Sequence, residues 1–116
     1  MATLIILPTG INQAGSAVAV APALETTLIS YTVPAGKTFY IVNVSGNGTA
    51  KAYFRLRVNG TLQAQREMDV SDRNIEMNFS SSFGLKTVAG DLVVVSVYNL
   101  STITGDYTAN MTGGFQ

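Results

Sequence analysis

The chain of 116 residues contains no cysteine, no histidine and no tryptophan. Without cysteine it has neither a disulfide framework nor a thiolate metal site. Without histidine it lacks the commonest general base and the commonest transition-metal ligand. Ser-His and Cys-His catalytic pairs are therefore excluded, and no Walker-type or other phosphate-binding glycine run is present. We expect a protein that is not an enzyme and that holds no cofactor or metal.

Charge of either sign is scarce, with seven basic and seven acidic side chains and a formal net charge of zero. A nucleic-acid-binding surface needs a basic excess to displace counterions from phosphates, so nucleic acid is not an expected partner. The carboxylates leave two weaker alternatives open: a distant pair of the kind glycosidases use, and a Ca²⁺ site at Asp69 and Asp72. We interpret "DVSD" as a connecting loop.

Long hydrophobic runs are also missing. The segment "LIIL" near the start is soon followed by Pro8, Gly10 and Asn12. It is too short for a secretory core, and no basic residue precedes it. A membrane span would need about twenty apolar residues. We expect no membrane partner and no secretion through a signal peptide.

The residues that are frequent are those of β-strands. Short runs rich in Val, Ile, Thr, Tyr and Phe are bounded by Gly, Asn, Pro and Ser, and no apolar spacing of the helical kind extends over three turns. This pattern predicts an all-β, antiparallel sandwich or barrel. Six Asn-x-Ser/Thr triplets indicate an Asn- and Thr-rich β surface. The predicted strands are Ala2–Leu7, Ala17–Ala21, Thr27–Val33, Lys37–Ser45, Lys51–Val58, Leu62–Met68, Arg73–Ser81, Leu85–Val88, Asp91–Asn99 and Asp106–Thr112.

Two kinds of strand are distinguished by their side-chain patterns. In "AYFRLRV" the apolar side chains alternate with Arg55 and Arg57, which predicts one buried and one wet face. The charges concentrated in this part of the chain form either a solvated sheet face or a polar contact surface. By contrast "LVVVSVY" is apolar on both faces, so both need cover. The N-terminal segment or a second subunit would provide the outer cover.

Turn chemistry gives further expectations. For "RVNGTL" we predict a three-residue loop with Gly60 left-handed in a bulge, because that register places Leu62 and Ala64 opposite Leu56 and Phe54. A two-residue turn would instead put glutamines on the core face.

Two Ala-Gly corners precede strong strands. Gly36 and Gly90 are expected to take up the backbone conformations of sharp turns. Asp91 is expected to close its own turn through its carboxylate.

The order of the segments "ISYTVPAGKTFYIVNV" and "GLKTVAGDLVVVSVYN" resembles a jelly roll. The "AGD-V-V-V" stretch is similar to a corner in trimeric jelly rolls of the tumour-necrosis-factor type and in many bacteriophage virion proteins. The composition is similar to that of tailed-phage head-decoration (cement) proteins, and the resemblance covers about residues 27–112 as a pattern. It implies an antiparallel jelly-roll β-sandwich that works as a homotrimer in the virion, after assembly in the host cytoplasm. The major capsid protein or another virion protein is the implied partner, and no catalytic residue carries over.

The first 24 residues carry no charge, and we interpret residues 1–24 as an apolar N-terminal arm ahead of a jelly-roll domain at residues 25–116. Burying one large aliphatic side chain stabilises by roughly 1.5–3 kcal/mol, so several together could anchor a short strand. The arm would add to an edge of a neighbouring subunit, or dock within its own subunit. The candidate intersubunit contacts are Leu4, Ile5, Ile6, Leu7, Val18 and Val20.

Together these features predict a non-enzymatic virion structural protein, most simply a capsid decoration protein that stabilises a phage head through oligomeric surface contacts. The alternative is a tail- or fibre-associated module that recognises host-surface glycan through loops and aromatic side chains. Most of the aromatic side chains alternate into the expected core, which favours packing over a sugar platform. The aromatic residues available for such a platform are Tyr31, Phe39, Tyr40, Tyr53, Tyr98 and Tyr107.

Overall fold

The structure, a computed structural model, describes residues 9–69, 71, 74–79 and 84–115, with side chains from residue 12 onward. It is a sandwich of two antiparallel sheets, as the strand pattern predicts. Its strands are β1 (Thr9–Val20), β2 (Glu25–Thr32), β3 (Thr38–Gly48), β4 (Ala52–Val58), β5 (Thr61–Met68), β6 (Asn74–Asn78), β7 (Leu85–Val88), β8 (Leu92–Asn99) and β9 (Gly105–Phe115). No helix long and apolar enough to cross a membrane occurs in these ranges.

The strands divide between two sheets. Sheet A has the order β1-β9-β3-β6, and sheet B has the order β2-β8-β4-β5. Strand β7 also pairs with β3. Residues 43–47 of β3 pair with β6 and residues 38–41 pair with β7, so these two short strands follow one another along the same side of β3.

The core lies between the sheets and follows the alternation of each strand. Phe39, Ile41 and Val44 of sheet A and Phe54 of sheet B lie in this core, and all four side chains are fully buried. Strand β8 contributes Val93, Val95 and Val97 to the same core.

Glycine lets the sheets approach closely at one central point. A Cβ atom on Gly46 of β3 would lie 2.5 Å from the ring of Phe54. That ring in turn packs edge-on against Tyr107, with centroids 6.0 Å apart.

The β4–β5 hairpin differs from the prediction. Asn59 and Gly60 have φ angles of 51° and 81°, and Val58 pairs directly with Thr61. The predicted three-residue loop is therefore wrong, because Asn-Gly supplies two left-handed residues in succession and so fits the tight turn that matches strand twist.

The register problem that motivated the prediction is solved inside strand β5. Arg57 pairs with Leu62 and Leu56 pairs with Ala64, so Gln63 is an extra residue in a bulge. The bulge places Ala64 next to the core residue Leu56. The predicted pairing of Ala64 with Phe54 is also wrong, since Arg66 occupies that position.

The two Ala-Gly corners agree with the prediction. Gly36 and Gly90 have φ angles of 76° and 88°. An Asp91 carboxylate oxygen accepts a hydrogen bond of 2.8 Å from the Val88 amide, which closes its own turn. The other Asp91 oxygen accepts from the Asn59 side chain at 2.9 Å. The hydrogen bond from Val88, with that from Asn59, lowers the pKa of Asp91 below its ordinary value.

Candidate functional site

The outward side of sheet B carries an organised cluster of arginine, tyrosine and glutamate side chains. We call this the arginine–tyrosine face; it consists of Glu25, Tyr53, Arg55, Arg57, Ser96 and Tyr98. The strand register brings it together, because Tyr98 pairs with both Glu25 and Tyr53, and Ser96 pairs with Arg55.

Arg55 lies at the centre of this face. Its guanidinium carbon is 5.4 Å from the ring centroid of Tyr53 and 5.2 Å from that of Tyr98, distances at which a cation is attracted to a ring. One guanidinium nitrogen lies 2.6 Å from Glu25 Oε1, and Nε donates to Gln65 Oε1 at 2.8 Å. These contacts hold the planar side chain of Arg55 against the sheet.

Glu25 is the partner shared by two arginines. Its Oε2 pairs with Arg57 and accepts a hydrogen bond of 2.7 Å from Ser96 Oγ, which is itself buried. Burial alone would raise the pKa of Glu25, but hydrogen bonds from Ser96, Arg57 and Arg55 outweigh it. The pKa therefore lies below its ordinary value of 4.5. Two cations thus share one carboxylate, so both arginines have an acidic partner within the chain while the cluster keeps a net charge of +1.

The same outward side of sheet B is apolar toward the β4–β5 turn. Leu62 and Leu92 are 48% and 40% exposed, and Val94 is partly exposed. Arg57 pairs with both Leu62 and Val94, so the apolar group borders the charged one directly. We call Leu62, Leu92 and Val94 the apolar shoulder. It includes Leu92 and Val94 from the outward side of "LVVVSVY", a side that the sequence predicted to need cover.

The outward side of sheet A is different in chemistry. It carries short amide and hydroxyl side chains along β1, β9, β3 and β6. A depression of about 670 Å³ runs over them. We call this the amide groove and define it by Ser16, Ser45, Asn47, Asn74, Thr108 and Asn110.

The groove continues toward the end of β1. A second depression of about 550 Å³ shares Ser16, Asn47, Asn74 and Thr108 with the first. Within the groove Thr108 Oγ1 donates a hydrogen bond of 2.5 Å to Asn47 Oδ1.

Most of the Asn-x-Ser/Thr triplets lie on the outward face of sheet A. Asn43, Asn47, Asn78 and Asn110 lie on it, in register with one another or with neighbouring Thr and Ser side chains. The Asn side chains of the other two triplets have different places, Asn59 in the hairpin turn and Asn99 in the interior.

The predicted arm residues fall in two places. Leu4, Ile5, Ile6 and Leu7 lie outside the described residues, and their intersubunit role stays a prediction. Residues from Thr9 onward form β1, which pairs with β9 of the same chain at an edge of sheet A. On β1, Val20 is buried in the chain's own core, whereas Val18 is 78% exposed.

A bulge explains why these two valines differ. Ala17 pairs with Tyr107 and Val20 with Gly105, so Val18 and Ala19 together face a single residue, Asp106. Ala19 has a φ of 54°, and its amide donates to Asp106 Oδ1 at 2.8 Å. Val18 lies on the outward face by ordinary alternation with Ala17, and the extra residue of the bulge turns Val20 inward to the core.

The alternatives for catalysis and metal binding gain no support. No group of three Asp or Glu side chains that could hold a metal ion occurs in the ranges the structure describes. Asp72 of the suggested Ca²⁺ site lies outside those ranges. Of the aromatic side chains, Phe39, Tyr40 and Tyr107 are buried, whereas Tyr53 and Tyr98 flank Arg55 at the surface.

Two residues of importance were missed in the sequence. In the sequence Glu25 is only the first charge after the uncharged segment, whereas in the structure it joins Arg55 and Arg57 across about 30 residues. Asn99 ends a predicted strand, whereas in the structure its buried amide connects three segments. The available signal was an asparagine at the end of a predicted strand, because an asparagine side chain commonly hydrogen-bonds the backbone two residues further along and closes a turn.

Comparison with known proteins assigns no family. No protein-family model matches the chain, and no curated protein matches it. Among solved structures, it is similar to a de novo designed double-stranded beta-helix determined by solution NMR. The identity is 12%, the alignment covers 87% of this chain and 97% of that one, and the TM-score is 0.43.

Proposed function

We propose that the protein is a non-enzymatic structural subunit of a virion, which decorates the head of a tailed phage as a homotrimer. The observation that carries this proposal is the outward side of sheet B, where the apolar shoulder borders the arginine–tyrosine face. Such a surface suits a protein–protein contact better than chemistry. The virion context rests on the resemblance of the sequence pattern to head-decoration proteins.

The proposal includes a jelly-roll fold, and the order of strand pairing supports it. Strands β4 and β5 form a hairpin, β3 pairs with β6 and β7, β2 pairs with β8, and β1 pairs with β9. These antiparallel pairs are nested around the hairpin. A long two-stranded ribbon that rolls up on itself into two sheets gives this nesting.

The energetics of sheet B favour coverage by another subunit. Leu62 and Leu92 each retain nearly half of their side-chain surface in water, so covering them would stabilise an interface by roughly 1 kcal/mol each. Arg55 and Arg57 already have Glu25 as a partner within the chain. Covering charges that are already paired and hydrogen-bonded costs less than covering isolated ones.

The N-terminal segment would provide a second attachment. Strand β1 starts at Thr9 at an edge of sheet A, so Leu4, Ile5, Ile6 and Leu7 directly precede an edge strand. An uncharged aliphatic segment at that position is suited to strand addition on a neighbouring subunit or on the major capsid protein.

Oligomeric state provides the first test. We expect light scattering to give a mass of about 37 kDa, three times the 12.2 kDa chain, over a range of concentrations. The double variant Leu62→Glu/Leu92→Glu should be monomeric. Val88→Glu is a matched control, because Val88 is 47% exposed but lies on sheet A. A monomer at every concentration would contradict the trimer.

Head decoration requires a second measurement. Empty heads built from the major capsid protein of the same virus should retain the native protein on sedimentation and release the Leu62→Glu/Leu92→Glu variant. A native trimer that leaves such heads unoccupied would refute decoration while keeping self-association.

A further inference from the structure

We propose that the amide groove on sheet A is a binding site for an uncharged saccharide. This inference goes beyond the structural role and does not depend on it, because the groove lies on the opposite side of the sandwich from the apolar shoulder.

The groove presents the functional groups that recognise sugar hydroxyls. Asn47, Asn74 and Asn110 each offer an amide that both donates and accepts hydrogen bonds, and Ser16, Ser45 and Thr108 add hydroxyls. A sugar hydroxyl is likewise both donor and acceptor. The two sets are complementary without any charge.

The charges around the groove select against anionic ligands. Among the described residues that line the two depressions, the charged ones are Glu76 and Asp106, and both are acidic. A phosphate, a nucleic acid or a sialylated glycan would meet like charge there, with no cation from the lining residues to offset it. A neutral saccharide meets no such repulsion.

One groove residue has an unsatisfied hydrogen-bond acceptor. The amide oxygen Oδ1 of Asn110 is buried and accepts no hydrogen bond from the part of the chain that the structure describes. Ser45 lies directly across from it on β3. A buried polar atom without a partner is costly, so a turn of the Asn110 amide that brings this oxygen to a ligand hydroxyl in the groove would remove that cost.

The size of the depression fits a small oligosaccharide. A volume of about 670 Å³ falls within the usual range for small-molecule sites. The second depression shares Ser16, Asn47, Asn74 and Thr108 and extends the groove toward Val18. A linear saccharide longer than one ring could follow this path between β1 and β6.

The test starts with an array of neutral and acidic oligosaccharides probed with the full chain. The best neutral binder is then titrated into ¹⁵N-labelled protein. We expect it to shift the side-chain NH₂ signals of Asn47, Asn74 and Asn110 and to leave Gln65, on sheet B, unchanged.

Two tryptophan variants provide the matched comparison. Ser16→Trp places a bulky ring in the groove, whereas Ser30→Trp alters an exposed serine on the edge strand of the other sheet. We expect Ser16→Trp to weaken saccharide binding by roughly tenfold or more and Ser30→Trp to change it less than about twofold. Asn110→Ala should weaken binding as well, without filling the groove.

Three results would overturn the inference: no neutral saccharide bound, binding that Ser16→Trp leaves intact, or binding of acidic glycans alone. Concentration-dependent self-association that Ser16→Trp abolishes would mean that the groove holds a second copy of the chain instead. The first three results do not affect the trimer test, because that test depends on Leu62 and Leu92. Self-association through the groove would persist in the Leu62→Glu/Leu92→Glu variant, which distinguishes it from the proposed trimer.

Discussion

The side-chain amide of Asn99 connects three segments at one end of the sandwich. Its nitrogen donates to the carbonyl oxygens of Val20 at 2.9 Å and Ile103 at 2.8 Å. Its oxygen accepts from the amide and the hydroxyl of Ser101, at 2.8 and 2.7 Å. All four hydrogen-bonding positions of the amide are used, and the residue is fully buried. Asn99→Ala removes all of them at once.

The expected cost follows from what each partner loses. The Val20 carbonyl belongs to a buried hydrogen bond, and leaving such an acceptor unpaired costs about 1–3 kcal/mol. The bonds to Ser101 and Ile103 are nearer the surface, where water can replace them, so each is worth only about 0.5–1.5 kcal/mol. We expect a total loss of about 3 kcal/mol, a large fraction of the 5–15 kcal/mol typical of a whole domain.

Urea unfolding at a fixed chain concentration measures this loss. The midpoint should fall while the slope stays constant, since the variant exposes the same surface on unfolding. Asn78→Ala is the matched control, because Asn78 is exposed and bonds the Asn43 side chain, and we expect it within about 0.5 kcal/mol of the native protein. A loss of less than about 1 kcal/mol in Asn99→Ala would refute the reasoning.

Three further substitutions test local features. The lowered pKa of Glu25 means that its pairing stabilises the fold above pH 4.5, and this stability is lost as the pH falls through the lowered pKa. In urea titrations at several pH values, the free energy of unfolding of Glu25→Gln should therefore fall less on acidification than that of the native protein. Tyr107→Phe should be neutral or stabilising by about 1 kcal/mol in thermal unfolding, because the hydroxyl is buried without a partner from the described residues, and a marked loss would reveal one. Ala19→Gly should raise the free energy of unfolding by about 0.5 kcal/mol, since glycine relieves the positive φ; a lower urea midpoint would count against backbone strain at the bulge.

Local patterns in the sequence predicted most of the strands. The alternation around Arg55 and Arg57 and the apolar run of β8 are repeated over enough residues to fix both the strand and its faces. Strand β1 was predicted only at its end, from Ala17 to Ala21, whereas it starts at Thr9. Its first part, "TGINQAGS", has weak intrinsic strand preference and is held by its long pairing with β9.

The candidate sites depended on information that local patterns do not carry. Glu25 reaches Arg55 and Arg57 only after β2, β8 and β4 are placed side by side. The amide groove needs Ser16, Asn74 and Thr108 to meet across four strands. Both arise from long-range register, and a single bulge moves every later side chain to the other face.

The bulge at Gln63 allows this point to be tested directly. Deleting Gln63 leaves Leu56 opposite Ala64 and restores a regular ladder after the Asn59-Gly60 turn, so we expect a change of less than about 1 kcal/mol in urea unfolding. Deleting Gln65 also removes the extra residue, but the strand must then place Gln63 where Ala64 lay. A glutamine beside the core should cost more than an alanine there. Equal losses in the two deletions would mean that the bulge, and not the identity of the inward residue, stabilises this hairpin.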